Sequence, residues 1–181
     1  MYTDEIMKFN FRPLAFDDLK QLHRWFQEPM IRQLYAKNQS YSLEDLIQKY
    51  KPRLANLDHI PSFIIEYEQQ DMGFIQYYCL DAHLPEGITR ESPLFKKHLP
   101  HEMVGMDLFI ADNHNRGKGL GIQIIHQFIT EFLSNYKAIV IDPERQNEQA
   151  IRCYKKSGFE ITNFSTDKTH CILILEKQPT D

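Results

Sequence analysis

The chain has 181 residues, 42% apolar and 25% charged, with a formal net charge of -4. That length and balance fit one domain with a sizeable core. The charge argues against a broad nucleic-acid footprint, whereas a mild acidic excess is compatible with a cationic partner. Three cysteines in a chain this long, Cys79, Cys153 and Cys171, argue against a disulfide framework. No window approaches the ~18 apolar residues of a membrane span. The opening "MYTDEIMKFNFRP" has no apolar signal core. The expectation is a cytoplasmic, reduced protein, monomeric or homodimeric, without nucleic-acid or membrane partners.

In chain order, "KFNFRPL" (Lys8 to Leu14) alternates apolar and polar residues like a half-buried strand. "FDDLKQLHRWF" spaces Phe16, Leu19, Leu22 and Phe26 along one helical face, with Pro29 just beyond it. "SLEDLIQKYKPRL" predicts a helix with Ser42 as N-cap, Asp45 three residues on, and Pro52 ending or kinking it. "PSFIIEYE" and "FIQYYCL" read as two strands of a hairpin, joined by a turn at "QQDMG". Residues 81–101 have no periodicity and read as a long loop, a kind that is often functional.

"EMVGMDLFIA" (Glu102 to Ala111) predicts a central strand, and "GLGIQIIHQFITEFL" a helix of about four turns. "KAIVID" suits a short strand covered on both faces. "NEQAIRCYKKSGF" predicts a helix capped by Asn147, with Lys155 and Lys156 in its last turn and Gly158 past its end. "HCILILE" is a final strand. The order β-α-α-β-β-β-α-β-α-β predicts one mixed α/β domain over residues 1–181, without repeats or linkers.

The stretch "DNHNRGKGLGIQII" carries the first chemical signal. Gly117, Gly119 and Gly121 permit backbone that lets several N–H groups converge on one anion. The helix opening at Leu120 adds its own N–H groups and positive end, and Arg116 and Lys118 add charge-assisted donors. This is a pyrophosphate cradle. A Walker loop is excluded because no Ser or Thr follows Lys118. A dinucleotide site is opposed by the long "DNHNR" segment and by glycines spaced G-x-G-x-G. A glycine-rich connection without a ligand stays open on these residues.

The second signal is acidic. Val104, Met106, Leu108 and Ile110 define one face of their strand, and Asp107 points to the other. Aspartate is disfavoured in strands, and a buried carboxylate needs a partner. Asp142 ends "KAIVID", at the carboxyl end of a strand, where open α/β sheets place ligands. Read alone, Asp107 equally suits an ion-paired strand position, and Asp142 a turn. Gln76 and Tyr78 alternate on one face of "FIQYYCL" and are candidates for lining an acceptor site. Cys153 has the neighbours of a core thiol. "HLPH" has metal-like spacing without a second ligand pair, so no metal is expected.

"RGKGLG" resembles the coenzyme A loop of the GNAT superfamily of N-acetyltransferases, pattern [QR]-x-x-G-x-[GA], at Arg116, Gly119 and Gly121. Asn147, Ala150, Tyr154, Gly158 and Phe159 match the helix that follows two elements later in that family. "SLEDLIQKYKPRL", "FIQYYCL", "GMDLFIAD" and "IDPERQNEQAIRCYKKSGFE" look like its aminoglycoside 6'-N-acetyltransferase branch. "DDLKQLHRWFQEP" is shared in style with acyltransferases of hydroxamate siderophore synthesis. Leu34 and Tyr35 stand where the aminoglycoside enzymes carry a tryptophan pair, which makes Tyr35 an acceptor-side candidate.

The resemblance implies a twisted, mixed, mostly antiparallel sheet of about six or seven strands flanked by about four helices. It implies acetyl-CoA as acyl donor and a small cationic amine as acceptor. It implies Tyr154 as proton donor to the departing thiolate, with Asp107 and Asp142 facing an amino sugar. Backbone at Phe109, Ile110 and Ala111 would pair with the pantetheine arm. An amine attacks a thioester only when neutral, yet is mostly protonated at neutral pH, so a carboxylate that takes its proton is wanted. No acyl-enzyme is needed. A siderophore-type amine as acceptor, and a coenzyme A- or dinucleotide-binding module without catalysis, are the alternatives.

Overall fold

The computed structural model describes residues 7–111, 114, 116 and 118–177. Seven strands form one sheet in the order β1-β2-β3-β4-β5-β7-β6. They are β1 (Asn10–Pro13), β2 (Ser62–Tyr67), β3 (Gln70–Cys79), β4 (Met103–Ile110), β5 (Ala138–Ile141), β6 (Glu160–Ile161) and β7 (Leu173–Glu176). Every pairing is antiparallel except β4 with β5. Five helices cover it: α1 (Leu19–Gln27), α2 (Pro29–Leu34), α3 (Leu43–Leu54), α4 (Leu120–Phe132) and α5 (Glu148–Lys156).

The two faces of the sheet are covered differently. On one, α4 packs Leu120, Ile124, Ile125, Phe128 and Ile129 against Ile75, Val104, Met106 and Ile139. On the other, α1 and α3 bring Leu19, Leu22, Phe26, Leu46 and Tyr50 against Ile64, Phe74 and Phe109. The far part of that second face is covered by residues 81–101, which bury Ile88 and Leu94 beside Met103, Ala138 and Val140. The long loop therefore does a helix's job, held by two 3₁₀ turns at Pro93–Lys96 and Pro100–Glu102. β5 is buried on both faces, as its unbroken apolar run requires.

Several local expectations need correction. The first helix is split: Phe16–Asp18 is a 3₁₀ turn, and Phe16 is 61% exposed rather than on the buried face, where Trp25 joins Leu22 and Phe26 instead. Pro29 does end α1, but it also opens α2, because a missing N–H costs nothing in a helix's first turn. The hairpin turn is Glu68–Gln69, both in the left-handed region (φ 51° and 64°), and "DMG" belongs to β3. A two-residue loop of that kind matches the strands' twist. Pro52 is absorbed in the last turn of α3, whose Ser42–Asp45 capping box forms in both directions.

The sheet opens at one seam. β4 and β5 pair only at Met103–Ala138, Val104–Ile139 and Gly105–Val140. β4 continues for five residues, to Ile110, still paired on its other side with β3. The far half of β4 therefore borders a cleft, with α5 across it.

Candidate active site

Three cross-strand pairs on one face of β3 and β4 build the floor: Phe74–Phe109, Gln76–Asp107 and Tyr78–Gly105. The first pair stacks, with ring centroids 5.7 Å apart. The third interlocks, because a Cβ on Gly105 would lie 2.3 Å from two atoms of the Tyr78 ring. Only glycine lets that ring lie flat on the strand. Between them, Gln76 Nε2 donates to Asp107 Oδ2 at 2.9 Å.

Gln76 is itself fixed. Arg53 Nη1 donates to its Oε1 at 2.7 Å, and Ser62 Oγ lies 3.5 Å from the same oxygen. A guanidinium only donates, so it forces the amide oxygen toward α3 and the amide nitrogen toward Asp107. Arg53 in turn donates from Nε to Asp58 at 3.2 Å and lies 4.5 Å over the Tyr50 ring. Neither Arg53 nor Tyr50 carries a sequence signal: both sit in an ordinary amphipathic helix, and only tertiary packing brings them here.

Asp107 looks into a cavity of about 330 Å³, whose wall also includes Tyr35, Gln76, Tyr78, Asp142 and Tyr154. Every acceptor-side residue expected from the sequence therefore reaches one chamber. Burial raises the pKa of Asp107, against the hydrogen bond from Gln76 and the fields of Arg53, Lys37 and Lys49. Burial also lifts Asp142, to about 7, helped by the negative field of Asp107 and opposed by the Glu86 N–H that donates to it. The two acids resist being ionised together, which is the electrostatic condition for attracting a cation. Glu86, from the 81–101 loop, and Lys37, from the connection between α2 and α3, both line the chamber and form an ion pair. Sequence reasoning missed both, since nothing local marks them.

A second cavity, of about 360 Å³, runs along the seam between β4, α4 and α5. Its wall includes Phe109, Ile110, Arg116, Gly119, Gly121, Asn147, Ala150 and Tyr154. Leu120 and Lys118 lie beside it in the chain, and Gly117 falls outside the described residues. The glycines do different jobs. Gly119 has φ 79° and stands as N-cap of α4, with nothing within 4 Å of where a Cβ would be. Gly121 serves close packing: a Cβ there would meet Cys153 Sγ at 3.0 Å, a tight approach. Asn147 caps α5 by accepting from Ala150 N at 3.1 Å.

Arg116 is turned inward. Its Nε donates to the Ile110 carbonyl at 2.7 Å and its Nη2 to the Ala111 carbonyl at 3.1 Å, with Glu28 3.3 Å away. Ala111 N donates to Met72 at 2.7 Å. These strand-end groups are thus engaged within the chain, and Arg116 braces the glycine loop against β4.

The two cavities share Leu34, Tyr35, Leu108, Asn147, Ala150 and Tyr154. Tyr154 is buried, and burial with the nearby negative charge of Asp107 drives its pKa well above the ordinary phenol value. It stays a proton donor throughout the neutral range. His98, from the "HLPH" stretch, hydrogen-bonds Glu176 at 3.1 Å. No helix among the described residues is long and apolar enough to cross a membrane.

The model of the acetyltransferase (GNAT) domain matches residues 15–165. The aminoglycoside N(6')-acetyltransferase type 1 of Klebsiella pneumoniae is 25% identical over 153 residues, 82% of this chain and 72% of its own. A kanamycin resistance protein of Rhizobium radiobacter is 41% identical over 59 residues, 31% of this chain and 54% of its own. Among solved structures, AAC(6')-Ib in complex with paromomycin and acetyl-CoA has a TM-score of 0.78 at 21% identity, over 94% of both chains. An aminoglycoside N(6')-acetyltransferase of Legionella pneumophila gives 0.66 at 23% identity, over 94% of this chain and 92% of its own. The structural likeness establishes a common fold, and the domain match spans most of the sequence. This chain belongs to the acetyltransferase (GNAT) family.

Proposed function

We propose that the chain transfers acetyl from acetyl-CoA directly to a primary amine of a polycationic amino sugar, the 6'-amine of an aminoglycoside. The observation that carries this reading is the meeting of two chambers at Tyr154, one lined by two mutually destabilised carboxylates and the other running to the N-terminus of α4. Acetyl-CoA supplies an activated thioester. Gly119 and the first turn of α4 face its phosphates, and its arm lies along the seam toward Leu108.

Asp107 receives the substrate ammonium and accepts its proton, directly or through a water. Gln76 keeps Oδ2 of Asp107 occupied, which orients the carboxylate and leaves its other oxygen for the substrate. Asp142 anchors a second ammonium, and a bound cation returns both acids to the charged form. The neutral amine attacks the carbonyl, the N–C bond forms as the C–S bond breaks, Tyr154 protonates the departing thiolate, and the second proton that the nitrogen sheds on becoming an amide restores the phenol, directly or through a water. Cys153 takes no part: burial raises its pKa, which disfavours the thiolate. Thiol release with kanamycin or tobramycin tests the proposal, and no turnover on any such amine rejects the acceptor.

A second reading keeps the transfer and changes the acceptor to hydroxylysine or a related amine of siderophore synthesis. Lys49 favours it. Its ammonium lines the acceptor chamber, 4.7 Å over the Tyr41 ring, and no carboxylate pairs with it among the described residues. An acceptor with its own carboxylate would supply one. A panel of amines compared by kcat/KM separates the two.

A further inference from the structure

The Lys37–Glu86 pair has a placement that the proposed reaction does not use. Lys37 and Asn38, in the connection between α2 and α3, both adopt left-handed backbone, φ 51° and 59°. Side chains other than glycine adopt it at a cost, and here it marks a turn that carries Lys37 to the acceptor chamber. Glu86 comes from the 81–101 loop, with its N–H on Asp142 and its carboxylate on Lys37. Burial lowers the pKa of the Lys37 ammonium, but the hydrogen bond to Glu86 and the fields of Glu86, Asp142 and Asp107 outweigh it, and the net shift is upward. The ammonium is therefore a counter-ion to the whole acidic group.

Of the three Lys and Arg side chains that line this chamber, Arg53 and Lys37 are held in contrasting ways. Arg53 has a side chain 12% exposed and is fixed by Asp58, Gln76 and the Tyr50 face. The side chains of Lys37 and Glu86 are 55% and 51% exposed, and among the described residues they pair with each other. Such a pair is weak and open to exchange with another cation.

We propose that Lys37 is a specificity-determining residue, an internal stand-in that holds Glu86 until a further ammonium of the acceptor, beyond those at Asp107 and Asp142, displaces it. This rests on the reading of the acceptor as a polycationic amine. An acceptor with a single ammonium, bound at Asp107, leaves the Lys37–Glu86 pair intact. A polycation competes with Lys37, so its apparent affinity is lowered by the strength of that pair, and discrimination among acceptors is set partly by this competition.

The test is Lys37→Met in the full chain, which keeps the aliphatic stem and removes the charge. Steady-state kinetics compare kanamycin with the monoamine 6-amino-6-deoxyglucose. The expected result is a KM for kanamycin lowered about two- to fivefold relative to the KM for the monoamine, the range set by an exposed ion pair, with both acceptors read on the pH plateau of each protein because losing the Lys37 charge also lets the Asp107 pKa rise. In a Glu86→Gln background the effect of Lys37→Met on kanamycin disappears. A raised KM for kanamycin, an equal change for both acceptors, or an effect that persists in Glu86→Gln overturns the proposal. If neither acceptor turns over, the acceptor reading fails separately, and calorimetric titration with kanamycin reads Lys37 by itself. Tighter binding to Lys37→Met supports the stand-in; equal binding, or binding to neither protein, overturns it.

Discussion

Gln76→Leu separates the electrostatics of Asp107 from its mere presence. The substitution removes the amide donor 2.9 Å from Asp107 Oδ2 and the acceptor 2.7 Å from Arg53 Nη1. Burial pushes the pKa of Asp107 up, and the Gln76 hydrogen bond is the largest influence holding it down. A hydrogen bond to a charged group is worth about 1.5–3 kcal/mol. At 1.36 kcal/mol per pKa unit, losing it raises the Asp107 pKa by about 1–2 units. The carboxylate is the reactive form, so activity needs a pH above that pKa. The acid limb of the kcat/KM profile therefore moves to higher pH by about 1–2 units. The assay is thiol release with kanamycin at saturating acetyl-CoA from about pH 5 to 10, with circular dichroism confirming the fold. An acid limb at its original position, with activity lowered by one factor at every pH, would refute this account of Asp107.

Asp107→Asn keeps an acceptor for Gln76 and removes the base, so kcat should fall about 10²–10⁴-fold while acetyl-CoA affinity by calorimetry stays near that of the parent. Full activity would make Asp107 a structural residue. Gly105→Ala places a Cβ 2.3 Å from the Tyr78 ring and should cost about 1–3 kcal/mol by urea denaturation; an unchanged midpoint would mean that the ring has somewhere to go. Asp142→Asn should change the pH dependence of stability. The folded-state pKa near 7 lies above the ordinary carboxylate value, so the fold favours the protonated acid. That contribution is complete below about pH 4 and lost as pH rises through 7. The variant should gain on the parent between those values, by at most about 4 kcal/mol. Equal differences in urea midpoint at pH 4 and pH 8 would count against it.

Much of the site was legible because its residues break local rules. An aspartate in an apolar strand, a glutamine on the facing strand, and a glycine loop opening a helix each announce a demand other than packing. Their pairing was not legible, since Gln76 meets Asp107 only through the β3–β4 register. Arg53, Lys37 and Glu86 escaped notice because charged residues in helix ends and loops are what solvent exposure also produces. The glycines were over-read in one respect: Gly121 answers to the sulfur of Cys153 and not to backbone conformation. Among the elements, α2 was hidden by a proline that both stops one helix and starts the next, and the two-residue β6 is too short to show a period. Phe16 fitted a helical face in sequence but sits in a 3₁₀ turn, where the angular spacing differs.

The seam between β4 and β5 has a further consequence. A sheet of this kind has outer borders at β1 and β6, where another chain can add itself as a strand, a route to aggregation. The parting after Gly105 and Val140 creates an inner border as well. That border is recessed: α5 lies across it, and the Arg116 side chain occupies carbonyls at its far end. A slender chain of atoms can lie along it, whereas a polypeptide strand with side chains on both faces cannot. The inner border is thus shielded from the strand addition to which the outer borders are open.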